Sequence, residues 1–572
     1  MEQRTAPFFI LLEPNFCFRR QHELGKEIDS FPNQSRALMN LGNFHNTLGQ
    51  YRKAMDFYNE YLRLLDVNPD KSGQCRALYN LGFACFSLKN YQEAMTSYQR
   101  SVEIATECQD KVAMARAYCN LGLARKELGQ YEKAFDCQKM FLSLSTELKS
   151  ARGTFKALGN MGDIFVAENE FDQAVGFYQQ QMAVAEQNSD LALVAPACAS
   201  LGAAFRKSGQ VDQAIDMHSR EVDIYQNTLK DAALEYKAQG RLGAALTERE
   251  RFHDASACYE RQLELGVASA DPALEAQALC NLAITSTNLQ DFEKAQSYLK
   301  KQVDVLRQLK TKSAKTERCK ALCSLGECCE ALEQYHDAVL FRQMALTMAS
   351  ETRNLALMDR ALKGLTSAYR LLQNFSRALS FCQQRLIVCE RLRDTRLTAA
   401  TFGDLAILQS SIGEYEEALQ SLKQQMKIGV DLADELITGD AACGLGSVHY
   451  LIKDYVNAVK FHSLDLEIAQ RNDNRPCLGR AHGNLAAAYE KLEDFSSAVS
   501  HQEQHLFIAE EQGDEVAKQA ALFGIGRYDD GSLCCEMICY SKSAISDLSE
   551  HFYCPQALQM AIVRALLFTI RF

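Results

Sequence analysis

Small, apolar and aromatic positions recur along this chain with a fixed stride. An alanine stands at residues 54, 94, 134, 174, 214, 255, 295, 338, 378, 418, 458 and 498, in steps of 40 residues except one of 41 and one of 43. Three residues before each alanine comes Tyr51, Tyr91, Tyr131, Phe171, Val211, Phe252, Phe292, Tyr335, Phe375, Tyr415, Tyr455 or Phe495, so that only Val211 breaks the aromatic series. Twelve residues before it sits a small residue, drawn from Gly42, Gly82, Gly122, Gly162, Gly202, Gly243, Ala283, Gly326, Thr366, Ala406, Gly446 and Ala486, and a Leu or Met always precedes that residue. A repeat of this length is one supersecondary unit. Each unit reads as helix A, a short turn and helix B. The small residue on A and the alanine on B let the helices approach closely, with the Leu and the aromatic filling the space beside them.

The polar positions punctuate the same units. Leu128-Gly129-Gln130 and Ile412-Gly413-Glu414 end helix A with a glycine, which suits a left-handed cap. Asp110, Asp190, Asp271, Asn474 and Asp514 precede a helix A as N-caps, and Pro272 follows Asp271 in a first-turn position. The polar run Thr311–Thr316 inside the 43-residue step predicts a longer loop.

Composition narrows the class. At 572 residues the chain exceeds what one core organises, and 8 Pro with no Trp suit a helical array. The net charge of −11, without a block of one sign, argues against nucleic acid or an anionic membrane as the main partner. The 21 cysteines lack framework spacing, which predicts reduced thiols in a cytoplasmic protein. Neither Pro7–Leu12 nor Met560–Phe572 reads as a signal peptide or a membrane span.

The alternation of Leu-Gly, an aromatic and a following Ala resembles the tetratricopeptide repeat, matched in twelve units. The resemblance implies an all-α, right-handed superhelical solenoid of about twelve helix-turn-helix repeats. The family's usual period is about 34 residues. The period of 40 here, and the segments Phe461–Ala469, Gly479–Leu485 and His501–Ala509, are similar to the long repeats of spindle-associated members of the family. That similarity implies a role in spindle midzone and midbody organisation during cytokinesis. Two alternatives stand beside it. One is an LGN-type adaptor linking G-protein α subunits to the spindle; the GoLoco motifs such adaptors carry after their repeats are not visible here. The other is the regulatory array of an enzyme whose catalytic domain is absent from this chain.

The expected organisation is a partial repeat over 1–33, twelve repeats over 34–515, the start of a broken thirteenth over 516–526 and an atypical, poorly ordered tail over 527–572. Arg20–Gly25 resembles Arg261–Gly266 of a helix B, and Ala521–Gly526 matches Ala77–Gly82 of a helix A. Both ends therefore read as cut, as in a fragment or splice variant. Ends without polar caps make self-association an expectation.

Candidates for chemistry reduce to structure. His501 and His505 share a helix face, but Glu503 is one place off the metalloprotease order and no third ligand is evident, so a surface face is expected. Cys323, Cys328 and Cys329 read as core fillers, and Cys534, Cys535 and Cys539 lie in the atypical tail. Gly444-Leu445-Gly446 has no third glycine and no preceding strand. No catalytic residue, metal or cofactor is expected.

The binding expectation rests on helix A. In tetratricopeptide families, ligand contacts often come from the residues six and two before the small residue. Here the first of these positions is basic in eight of twelve repeats and the second is Asn in six. The run is most regular in the first four repeats: Arg36 and Asn40, Arg76 and Asn80, Arg116 and Asn120, Lys156 and Asn160. The Asn can bond the backbone of an extended peptide and the Arg its carboxylates. Residues 34–165 are therefore expected to hold an extended, acidic peptide of a partner protein. The alternative is a solvated face with each Asn tied to its neighbours. The carboxylate clamp of co-chaperones needs a Lys where Met39 stands and an Asn where Phe83 and Leu123 stand, so that role is disfavoured.

Overall fold

A computed structural model describes residues 6–526 apart from residue 68, with side chains from residue 16 onward. The segment 527–572, including Cys534, Cys535 and Cys539, lies outside the described residues.

The described chain is an all-α solenoid of 26 α-helices. After an N-terminal helix, Ala6–Glu27, helices A and B alternate through twelve pairs, from Phe31–Thr47 and Tyr51–Val67 in repeat 1 to Arg475–Lys491 and Phe495–Gln512 in repeat 12; a further helix, Glu515–Gly526, follows. The period of 40 has a simple origin. In repeats 2, 3 and 4 every helix has 17 residues and every connection three. In these repeats the middle residue of each connection carries a positive φ; along the described chain eighteen connection residues with a positive φ are not glycine, against five that are. Lys89 (φ +62°), Gln109 (+55°) and Asn169 (+63°) do what Gly129 (+72°) does. A glycine is thus not what the turn requires. The next amide closes it by bonding back five residues, as Asn90 N–H does to Cys85 O at 2.9 Å, so helix packing on both sides sets the conformation.

The five N-caps identified from sequence all accept backbone N–H bonds at the start of their helices. The two irregular steps resolve differently. The 41-residue step places a π-helical turn, Ile224–Leu229, at the end of helix B in repeat 5, which absorbs an extra residue without ending the helix. The 43-residue step does not lengthen the loop much. Helix A of repeat 8 runs from Lys312 to Ala331, 20 residues, so Lys312–Thr316 is helical. Thr311 caps it by accepting from the Ala314 N–H, and good helix formers follow.

The array divides into two compact units at residues 274/275, the first holding repeats 1–6 and the second nearly all of repeats 7–12. In repeats 1–5 and 8–11 a helix B packs between its own helix A and the next one, and in repeats 1–5, 8–9 and 10–12 consecutive helices A also touch. All twelve recurring alanines on helix B are fully buried. The small residue on helix A receives a side chain of helix B, sixteen residues later. The ring of Tyr58 lies on Gly42, Tyr98 on Gly82, Tyr178 on Gly162 and Tyr259 on Gly243.

Candidate functional site

Residues six and two before the small residue, and the one directly after it, are spaced i, i+4, i+7 and share one face of helix A. In repeats 1–4 this face carries Arg36, Asn40, Asn43; Arg76, Asn80, Phe83; Arg116, Asn120, Leu123; and Lys156, Asn160, Asp163. The four basic side chains are exposed. Among the described residues Arg36, Arg76 and Arg116 enter no ion pair. Lys156 reaches the thiol of Cys119, whose pKa is raised chiefly by burial and held back by that lysine.

The asparagines behave differently. Asn80 Nδ2 donates to Asn43 Oδ1 at 3.0 Å and lies 3.7 Å from Met39 Sδ. Asn120 Nδ2 donates to Tyr79 Oη at 2.9 Å. Asn160 Nδ2 donates to Gln138 Oε1 at 3.1 Å and faces Cys119 Sγ at 3.6 Å. In repeat 12, Asn484 Nδ2 makes the same 3.6 Å approach to Cys443 Sγ. In every case the amide NH₂ turns back to the preceding repeat. These asparagines therefore fasten one repeat to the one before it; at half-buried Asn80 and Asn120 the side-chain carbonyl is the group left for a ligand N–H, whereas Asn160 is buried.

The chain's family follows from its repeats. Family models described as tetratricopeptide repeat match residues 35–64, 73–147, 113–187, 197–232, 276–305, 401–436 and 438–511, together more than half of the chain. The chain belongs to the tetratricopeptide repeat family. Among solved structures it is similar to the apo form of RapI (12% identity, 70% of this chain and 98% of that one, TM-score 0.42). It is also similar to the apo form of the quorum sensor NprR from B. thuringiensis (12% identity, 61% and 99%, TM-score 0.41) and to BtubC (BKLC) from P. vanneervenii (18% identity, 39% and 92%, TM-score 0.36). No curated protein matches the sequence. Tetratricopeptide repeats of this kind build protein-interaction scaffolds.

The tetratricopeptide repeats of the second unit spend their basic residues internally. Arg360 binds Glu327 through Nε and Nη2 and donates to Ser324 Oγ at 3.0 Å. Lys320 pairs with Glu317 at 3.0 Å, and Arg480 with Asp440 at 3.3 Å and Asp465 at 3.2 Å. Glu327 directly follows Gly326, the position that Asn43, Phe83 and Leu123 fill in repeats 1–3. For Arg360 the neutralising carboxylate is thus the residue after the small one of the preceding repeat, while Lys320 and Arg480 find theirs at other positions.

A second series escaped the sequence reading: the helix B residue nineteen after the small one. Gln181, Glu221, Gln262, Arg385 and Asp465 all occupy it and all are buried. Gln181 and Gln262 donate to the Phe155 and Tyr236 carbonyls at 3.1 and 3.2 Å. Arg385 bridges Asp359 at 2.7 Å and Asp404 at 2.8 Å. Arg241, two residues before Gly243 on helix A, is bound to buried Glu221, which also faces His218. The sequence signal was a polar residue recurring at this helix B position in most repeats, though Phe141 and Ala345 fill it in repeats 3 and 8.

The histidine expectation needs correcting. His505 is buried and His501 half-buried, so they do not form a surface face. They turn toward helix A of their own repeat, where His501 Nδ1 lies 2.9 Å from His482 Nδ1 and the His501 ring stacks on Tyr489. Among the described residues no group of three or more His, Cys, Asp or Glu could hold a metal ion. Cys319, Cys323, Cys328 and Cys329 are buried core residues, and Gly446 lies under the His462 ring. No described helix is long and apolar enough to cross a membrane.

Proposed function

We propose that the chain is a non-catalytic scaffold whose repeats 1–4 bind an extended, acidic segment of a partner protein. One observation carries this reading: Arg36, Arg76, Arg116 and Lys156 stand exposed at equivalent positions, with no carboxylate neutralising them, in a chain of net charge −11. A run of unpaired cations on successive helices A attracts a string of carboxylates, and Arg binds each in bidentate fashion. The carbonyls of half-buried Asn80 and Asn120 are the groups left to accept N–H groups from an extended backbone. No cofactor is required.

The cellular setting we propose is the mitotic spindle, in midzone and midbody organisation during cytokinesis. The resemblance of the 40-residue repeats to tetratricopeptide repeat protein 28 supports it, and it carries with it a cytoplasmic and cytoskeletal location. The test is affinity capture from dividing cells with the full chain, beside the triple variant Arg36→Glu, Arg76→Glu, Arg116→Glu matched for helicity. Midzone proteins retained by the native chain and lost by the variant support both proposals. Cortical G-protein α subunits in their place would favour the spindle-orientation alternative. The same proteins on both chains would remove the groove.

A further inference from the structure

We infer that the acidic ligand carries one large apolar side chain that seats on Phe83, next to the carboxylate held by Arg116. This rests on the groove proposed above and specifies its ligand. Phe83 is 43% exposed, on the same face of helix A as Arg76 and Asn80. In repeat 1 the equivalent residue is Asn43, engaged by the Tyr58 hydroxyl at 2.8 Å and by Asn80. Repeats 2 and 3 replace that polar group with Phe83 and half-buried Leu123, an apolar step within the basic run. The Arg360–Glu327–Ser324 contacts show where the next repeat's cation stands: over the residue directly after the small one. By the same repeat geometry the Arg116 side chain is within reach of the Phe83 position, and an aromatic face next to an unpaired guanidinium fits an apolar side chain adjoining a carboxylate.

Spacing defines the ligand further. Packed helices lie ~8–10 Å apart and an extended strand rises ~3.3 Å per residue, so one repeat corresponds to about three ligand residues. The ligand is then an extended segment with Asp or Glu at every third position and a Leu or aromatic residue between two of them.

The experiment is fluorescence anisotropy with the full chain and two labelled peptides: a Glu-Gly-Ser repeat, and the same peptide with one central Ser replaced by Leu. Burying a leucine gives an expected gain of about tenfold or more. Phe83→Ser is expected to bring the leucine peptide down to the plain peptide and leave the plain peptide within about twofold; Phe83→Tyr is expected to keep the gain. Equal binding of the two peptides by the native chain overturns the inference, as does equal weakening of both by Phe83→Ser, or a shift of that variant from dimer to monomer without change in peptide affinity. If the plain peptide binds and loses affinity in the triple Arg→Glu variant while leucine adds nothing, only this inference fails. If neither peptide binds the native chain, the groove itself fails too.

Discussion

Arg360 Nη2 lies 3.0 Å from both carboxylate oxygens of Glu327, a residue on the helix A of the repeat before it. The pair neutralises a groove cation across a repeat boundary, and it shows what repeats 1–3 lack: a carboxylate directly after the small residue.

Installing that carboxylate is expected to quench the groove. Asn43→Glu places an acid beside Arg76 and is expected to weaken an acidic peptide roughly two- to fivefold, the size of a partly exposed ion pair. The salt dependence of binding falls with it. Anisotropy titrations at two ionic strengths check this; unchanged affinity would show that Arg76 does not contact the ligand.

The asparagine fasteners are separable from ligand contacts. Asn160→Ala removes the donor to Gln138 Oε1 inside the stack, where Gln138 is fully buried. Leaving that oxygen without its partner is expected to cost about 1–3 kcal/mol, visible as a lower urea midpoint. Asn40→Ala, at a half-buried site, is expected to change stability by no more than about 0.5 kcal/mol.

Two glycines of repeat 4 give opposite expectations. A Cβ on Gly162 would stand 2.5 Å from the Tyr178 ring, whose hydroxyl is held by Asp163 at 2.6 Å, so Gly162→Ala is expected to destabilise by about 1–3 kcal/mol. A Cβ on Gly176, inside helix B, meets nothing within 4 Å. Gly176→Ala is expected to stabilise by about 0.5–1 kcal/mol through helix propensity. Thermal denaturation of the two variants decides both.

The all-helical repeat and its stride could be read from the sequence because they rest on local rules. Asp110 and Asn474 cap their helices because side-chain oxygens satisfy first-turn amides wherever they occur. What could not be read depends on neighbours in space. Lys89 at φ +62° is an unfavoured choice in isolation, and packing of the helices on either side imposes it. The basic positions look alike along the chain, yet Arg116 is unpaired and Arg360 is bound, because residues 33 and 36 places earlier meet Arg360 across a seam that the sequence does not display. Asn160 was legible as a groove position but not as a fastener, since its partner Gln138 lies on another helix.

Acid is expected to loosen repeats 11 and 12. Burial lowers the pKa of His462 to about 4, helped by Arg480, and that of His482 to about 4, helped by His501 and His505. Both imidazoles are held neutral in the fold, while the unfolded chain protonates near 6.5. Their stability contribution is complete above about 6.5 and is lost as the pH falls toward 4. Asp465 works in the opposite sense: burial outweighs its Arg480 partner and raises its pKa to about 6, so it recovers stability between about 6 and 4. Burial also lowers the pKa values of His501 and His505, so the histidine losses outnumber the Asp465 gain and the net stability of these repeats falls with pH below about 6.5. His462→Tyr, which copies Tyr58 and Tyr178 at the equivalent position, is expected to flatten that fall. Hydrogen exchange of residues 455–491 between pH 7 and 4.5 measures the change; an identical pH response in native and variant chains would refute it.

In the regular repeats each helix with its connection spans 20 residues, and the turn is the same whether A leads to B or B to A. The backbone therefore has half the period of the side chains. Removal of 20 residues would splice without strain yet exchange the two helix classes downstream, presenting buried alanine faces where charged ones belong. Removal of 40 would restore the alternation and shorten the row of cations by one. Gene rearrangements in such an array are filtered by parity, and lineages can lengthen or trim the charged row only in whole pairs of helices.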